Sequence, residues 1–355
     1  MLRTLATLIL LLTLLSGCAT TMPDNTPSQV LVPVLYATNR DLSSESERAD
    51  LSFGEAVVAL SPRKQGDSPF ADWSRWAVRT DAPRRRNELL DVAPLEVAEF
   101  GAALDAVAAR PRSVLLFVHG YRRSFTVVAR EMAEFAYETN LDSVPVFFSW
   151  PSANSVFGYA GDATSVRWAA ADLRDTLKLL LGRDAVDTVH IVAHSLGNSG
   201  VLEALDDLSR DPNARIDKLG EIVFASPDVD VGLFRRDFLP MLDGLGARVT
   251  LYATENDVPL QASQRVNRYQ RLGDAKAKIF IEEGVETVVF SDVVTFLNSH
   301  DAVVEIGALQ ADMHYLLVER IGASGRPTLE AVDTERGRYW RARPLGYSNC
   351  LLYTS

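Results

Sequence analysis

From Ser113 to Arg320 the sequence alternates between short apolar runs and longer amphipathic stretches. The runs Ser113–Val118, Val144–Ser149, Val186–Ala193, Glu221–Ala225, Arg248–Ala253 and Glu286–Phe290 have strand length and are rich in β-branched and aromatic residues. Between them, Val127–Thr139, Val166–Leu181, Leu196–Leu208, Val231–Leu245, Leu260–Asn267 and Ala302–Arg320 read as helices. Strands that are apolar throughout must be covered on both faces, and helical crossovers provide that cover. The pattern predicts an α/β fold: a mostly parallel central sheet with helices on both faces. Val30–Thr38 and Phe53–Leu60, flanking the polar stretch 41–50, predict an antiparallel N-terminal edge. A further helix is expected over Leu95–Ala109. Residues 61–92 read as irregular, with Trp73 and Trp76 as packing anchors, and 322–349 as an extended tail lying over the body.

Charge narrows the function classes. The 355 residues carry a formal net charge of −11 and no basic stripe, which argues against a general nucleic-acid binder. Arg84-Arg85-Arg86 reads as a solvated loop. Five histidines and two cysteines are too few and too scattered for a metal-ligand cluster, and no cofactor is expected.

The two ends read as separate from the fold. Met1-Leu2-Arg3 followed by the apolar run Leu5 to Leu15 has the form of a secretory signal, too short for a comfortable permanent span. It ends in Leu15-Ser16-Gly17-Cys18, which resembles a bacterial lipobox with Cys18 as the acylation point. Palmitate-type chains there would anchor the protein to a membrane. Ala19 follows rather than an inner-membrane retention Asp, so the expected location is the outer membrane, facing the periplasm. The expected division is 1–17 signal peptide, 18–29 tether, 30–320 α/β domain and 321–349 C-terminal extension. One reverse translation of Cys350-Leu351-Leu352-Tyr353-Thr354-Ser355 resembles a sequencing-adaptor end, so residues 350–355 are expected to be an artefact.

In an open parallel sheet, chemistry collects at the carboxyl ends of the strands. Ala193-His194-Ser195-Leu196-Gly197 follows one strand and precedes a helix, with small residues two positions either side of the serine. A nucleophile elbow needs that spacing because strand and helix backbones crowd there. The bland alternative is that Ser195 merely caps the helix. Upstream, Val118-His119-Gly120-Tyr121 is placed to supply an oxyanion hole, with the N–H groups of Leu196 and Tyr121 as donors and His119 as loop support. The acid is expected at Asp257, with Asp228 and Glu255 as alternatives. In the chain order Ser…Asp…His, only His300 and His314 can be the base. His300 lies in a loop and is preferred, since His314 sits inside a helix. His190 lies within a strand, and His194 adjoins Ser195 and points away from it.

These residues bring out a resemblance to a bacterial α/β-hydrolase family of unknown function, covering roughly residues 30–320. It rests on Val34-Leu35-Tyr36-Ala37-Thr38-Asn39-Arg40, Phe53-Gly54, His119-Gly120-Tyr121, Phe148-Ser149-Trp150-Pro151-Ser152, Ala193-His194-Ser195-Leu196-Gly197-Asn198, Ala225-Ser226-Pro227-Asp228 and the Tyr252…Asp257 turn. The resemblance implies the α/β-hydrolase fold, a Ser195–Asp257–His300 triad, and a structural part for Asp228. The sequence departs from it at Arg122, where Asn is frequent, and at Asp301, where an uncharged residue is usual. The expected activity is that of a serine carboxylesterase acting on a small-molecule ester or acyl substrate through an acyl-enzyme. The alternatives are a non-catalytic envelope scaffold on the same fold, or an amidase or peptidase with the same triad.

Overall fold

The apolar runs form the strands of one sheet. In chain order these are β1 (Val30–Asp41), β2 (Ser44–Leu60), β3 (Glu88–Leu95), β4 (Ser113–Val118), β5 (Val144–Ser149), β6 (Thr188–His194), β7 (Leu219–Ala225), β8 (Arg248–Thr254), β9 (Val285–Phe290), β10 (Leu329–Thr334) and β11 (Gly337–Ala342). The helices are α1 (Val97–Val107), α2 (Phe125–Glu138), α3 (Tyr159–Trp168), α4 (Ala170–Leu181), α5 (Gly197–Ser209), α6 (Val231–Leu233), α7 (Leu239–Leu245) and α8 (Val303–Leu317), with a π turn at Phe234–Phe238 joining α6 to α7. The computed structural model describes residues 30–60, 87–107, 112–153, 158–257, 260, 263–264, 268–276, 278–290 and 303–343. Cys18, Trp73, Trp76, His300, Asp301 and Cys350 lie outside the described residues.

Strand parity builds two cores. All six residues of β4 are buried; Val114, Leu116 and Val118 face one core while Leu115 and Phe117 face the other. That is the period-2 consequence of a strand sandwiched between helices. The first core takes the apolar stripes of α1, α3, α4 and α5, for example Phe100, Val166, Leu177 and Val201. The second takes α2 and α8 through Val128, Met132, Met313 and Leu316. The sheet order is β10-β11-β9-β8-β7-β6-β4-β5-β1-β2-β3. From β1 through β5, β4, β6, β7, β8 and β9 to β11 each neighbouring pair is parallel. β2 and β10 run antiparallel to their neighbours. This is the α/β-hydrolase fold with an antiparallel N-terminal edge, as expected. Leaving β4, the chain goes first to β5 on one side and then to β6 on the other. That reversal opens a crevice at the carboxyl ends of β4 and β6.

Four local expectations are revised. The helix expected over 166–181 is two helices, α3 starting at Tyr159 and α4 following Ala169. Residues 41–50 are mostly strand: β2 starts at Ser44, and its polar positions there are exposed or half-buried. β3 falls in a stretch read as irregular because it is an edge strand with no fully buried residue. The expected C-terminal tail is a hairpin that widens the sheet, with Trp340 opposite Val288 on β9. Few residues of that hairpin are buried, so its hydrophobic pattern is weak. It is held instead by polar contacts. Arg326 donates to Asp312 on α8 at 3.0 Å and to the Tyr252 hydroxyl at 2.9 Å, and the Thr328 hydroxyl donates to Asp312. Among the described residues no helix is long and apolar enough to cross a membrane.

Candidate active site

Ser195 stands between β6 and α5 with φ 50°, in the left-handed region. Its N–H donates to the Ala225 carbonyl on β7 at 3.0 Å. Its own carbonyl accepts from the Asn198 N–H (3.2 Å), the Asn198 side-chain amide (2.8 Å) and the Asp228 N–H (3.3 Å). Asn198 therefore closes the A-H-S-x-G-N motif physically, by fastening the carbonyl of the serine. A capping serine has extended backbone and a hydroxyl that accepts from the first helical turn. Ser195 has neither property: Leu196 occupies the cap position, and no side chain caps α5. The cap reading is thereby set aside, and the Ser195 side chain is half-buried rather than enclosed.

The two glycines beside the serine permit close approach. A Cβ on Gly197 would meet the His119 carbonyl at 2.4 Å, and one on Gly120 would meet Ser195 Cβ at 2.7 Å. The turn after β4 thus lies directly against the elbow, with Gly120, the residue before Tyr121, next to Ser195. Among the described residues the Leu196 N–H donates to no backbone carbonyl.

The loop after Tyr121 is secured from the β5 end. The Arg122 N–H donates to Ser152 Oγ at 2.9 Å; Ser152 Oγ donates to Asp162 at 2.5 Å, and Asp162 also accepts from the Ala153 N–H at 2.7 Å. Arg122 itself has φ 57°. Asn tolerates that conformation better than a long unbranched side chain, which gives a physical reason for the Asn frequent at this position in the resembling family. Arg122→Asn is expected to stabilise the fold by about 0.5–1 kcal/mol, seen as a rise of a few degrees in thermal midpoint.

Of the three carboxylates weighed from sequence, Asp228 and Asp257 are buried and Glu255 is not; Asp228 adjoins the elbow through its N–H to the Ser195 carbonyl. Glu255 pairs outward with Arg341 of β11 at 3.1 Å. Asp228 is held on both oxygens: it accepts from the Tyr159 hydroxyl (2.7 Å) and the Ser263 hydroxyl (2.7 Å), and Arg271 pairs with it at 3.2 Å. Asp257 follows β8 and accepts from the Leu260 N–H at 2.8 Å. Burial pushes its carboxyl up to about 6; the Leu260 hydrogen bond opposes the rise, and the charges of Asp228 and Asp274 add to it. Tyr159, Ser263 and Arg271 were not singled out from sequence. Their motif-free positions, far along the chain, gave no signal that they converge on Asp228.

Four of the five histidines are described, and each has a structural environment. His190 lies in β6 and accepts from the Glu221 N–H at 2.9 Å, with burial and then Arg320 lowering its pKa to about 3. His194 is half-buried with its ring against Gly120, and burial followed by Arg123 lowers it to about 3. His314 on α8 bonds through Nδ1 to the Thr139 carbonyl at 2.7 Å. His119 is buried behind the turn that follows β4, stacked on Trp150 with ring centroids 4.8 Å apart. His300, preferred from sequence, lies outside the described residues. Among the described residues no group of three or more His, Cys, Asp or Glu could hold a metal.

A strained serine at a strand–helix elbow, a glycine turn pressed against it and a buried carboxylate two strands away form the framework of acyl-transfer chemistry. No curated protein matches the chain. Solved structures similar to it include the product of gene lin2722 from Listeria innocua, at 10% identity and TM-score 0.35, covering 60% of this chain and 96% of that one. Another is an uncharacterised protein from Capnocytophaga ochracea, at 11% identity and TM-score 0.34, covering 85% and 69%. A third is the peroxisomal alpha-beta-hydrolase Lpx1 from Saccharomyces cerevisiae, at 9% identity and TM-score 0.33, covering 86% and 94%. A family model matches residues 98–306, more than half of the sequence, and the chain belongs to that family, the alpha/beta hydrolases of unknown function (DUF900).

Proposed function

We propose that the protein is a serine hydrolase of carboxylic esters, with Ser195, His300 and Asp257 as its triad and the N–H groups of Leu196 and Tyr121 as its oxyanion hole. The backbone of Ser195 carries this reading. Left-handed φ at a non-glycine residue costs on the order of 1 kcal/mol, and strain of that kind persists where function uses it. Here it lifts the hydroxyl off the helix it would otherwise cap.

Ser195 Oγ attacks the ester carbonyl carbon while His300 takes the hydroxyl proton. The carbonyl oxygen becomes an alkoxide facing the Leu196 and Tyr121 N–H groups. Collapse breaks the bond to the leaving oxygen, His300 delivers the proton to it, and an alcohol departs from an acyl-serine. Water, deprotonated by His300, then attacks the acyl carbon; collapse breaks the bond to Ser195 Oγ, His300 returns the proton to that oxygen, and the carboxylic acid departs. Asp257, buried where Asp228 is already engaged by two hydroxyls and Arg271, orients the imidazole and balances its charge. A panel of p-nitrophenyl esters of graded acyl length, run beside matching anilides, tests this. Ester turnover with a burst of one nitrophenolate per protein, and anilide turnover at least 100-fold slower, is expected. Anilides cleaved as fast would mean an amidase, and no turnover by folded protein would mean a scaffold.

We further propose that Cys18 carries lipid and holds the domain at the outer membrane, facing the periplasm; the lipobox-like Leu15-Ser16-Gly17-Cys18 supports this. Cells fed labelled palmitate are expected to label the wild type and not Cys18→Ser. Equal labelling of both would exclude this anchor.

A further inference from the structure

Three motifs far apart in the sequence meet behind the oxyanion turn. Arg40, from the end of β1, is fully buried and donates through one guanidinium nitrogen to the carbonyls of Trp150 and Arg123 (2.9 Å for Arg123) and toward Nε2 of His119 at 3.2 Å. The Trp150 N–H also points at His119 Nε2, at 3.1 Å, and the indole N–H donates to the His119 carbonyl at 2.9 Å. A guanidinium and a backbone amide can only donate, so Nε2 must be the bare acceptor and the proton must sit on Nδ1. Nδ1 lies 2.8 Å from the Gly120 carbonyl.

The Gly120 carbonyl and the Tyr121 N–H belong to one planar peptide and point in opposite directions. A hydrogen bond that pins the carbonyl therefore aims the N–H. We infer that Arg40 and His119 are positioning residues for the oxyanion hole: Arg40 and Trp150 fix the His119 tautomer, and His119 Nδ1–H turns the Gly120–Tyr121 peptide so that its N–H faces the reacting oxygen. Burial, then the Arg40 charge, holds the His119 imidazole well below its ordinary pKa, which keeps it a neutral one-way donor. Arg40 remains charged at neutral pH, although burial lowers it to about 10 against the pull of Glu45 and Asp162. This inference rests on the ester-hydrolase reading for its catalytic consequence but not for its geometry.

Two substitutions separate positioning from packing. The amide nitrogen of Asn can stand near the Nδ1 position and still donate to the Gly120 carbonyl, whereas Gln reaches the Nε2 position and cannot. His119→Gln is expected to lower kcat about 100-fold, the scale of losing one oxyanion donor, with KM within threefold. His119→Asn is expected to retain at least tenfold more kcat than His119→Gln, per site titrated by fluorophosphonate. Affinity for a boronic acid, which mimics the tetrahedral oxyanion, should fall in step with kcat; Arg40→Lys should lie between wild type and His119→Gln. Equal kcat for the Asn and Gln variants, or losses that follow only the folded fraction, would overturn the inference. Independently of activity, ring ¹⁵N spectra of histidine-labelled wild type are expected to include a neutral Nδ1–H imidazole that does not titrate from pH 5 to 9 and that, unlike the signals of His190 and His194, disappears in His119→Gln. An Nε2–H tautomer there, or titration within that range, overturns the clamp. Wild-type protein without any Ser195-dependent turnover would instead remove the ester-hydrolase reading and leave the spectra to decide the clamp.

Discussion

Ser195→Ala is expected to lower kcat for ester hydrolysis by about 10⁵–10⁶-fold, with the fold intact. The proposed mechanism leaves no other nucleophile at the elbow. The His194 ring lies against Gly120, and the structure ties Asn198 to the Ser195 and Ala225 carbonyls. Alanine keeps the Cβ that already packs against Gly120, so packing changes little. Ser195→Gly should be equally inactive yet more stable, by about 1 kcal/mol, because glycine adopts φ 50° without the steric cost borne by serine. The pair thus separates strain kept for function from strain that is incidental. If Ser195→Gly melted below the wild type, the elbow would not be storing strain.

Asp257→Asn is expected to cost about 10⁴-fold in kcat, since an amide favours the wrong imidazole tautomer and cannot balance its charge. The wild type should lose kcat/KM as pH falls through about 6, where the buried Asp257 carboxyl takes up its proton. That limb belongs to the coupled carboxylate–imidazole pair rather than to either group alone. The sign for stability is the reverse. A carboxyl whose folded pKa is raised from 3.8 to about 6 ionises first in the unfolded chain. Stability is therefore lost as pH rises from about 4 to about 6, by roughly 2–3 kcal/mol in all. Asp257→Asn escapes that loss, so it should melt above the wild type at pH 7.5, with the gap closing toward pH 4. Melting curves and pH–rate profiles on both proteins check the two signs together. A profile flat down to pH 4.5, or a variant less stable at pH 7.5, contradicts this part for Asp257.

Much of the fold was legible because β4, β6 and β7 are apolar on both faces, which only a sheet covered twice allows. The hairpin of β10 and β11 escaped notice for the opposite reason. It is anchored by the buried Arg326–Asp312 pair, a contact between side chains that look exposed in sequence. At the site, chain order and turn chemistry picked out Ser195 and the turn beside it. Order alone left Asp228 and Asp257 both open, because it does not show the partners of Asp228: Tyr159, Ser263 and Arg271 converge on it from distant positions. The same limit hid the clamp. Arg40, His119 and Trp150 each stand in a visible motif, yet Arg40 lies 79 residues and Trp150 31 residues from His119 in the chain. Spacing along a sequence does not reveal which side chains share a buried acceptor.

The most direct test of the central claim is the mass of the protein after reaction with a fluorophosphonate. One adduct per chain is expected, mapped by peptide fragmentation to Ser195, absent from Ser195→Ala, and formed faster at pH 7.5 than at pH 5. An adduct on a different residue, or none on folded protein, would contradict the assignment of Ser195 as the nucleophile.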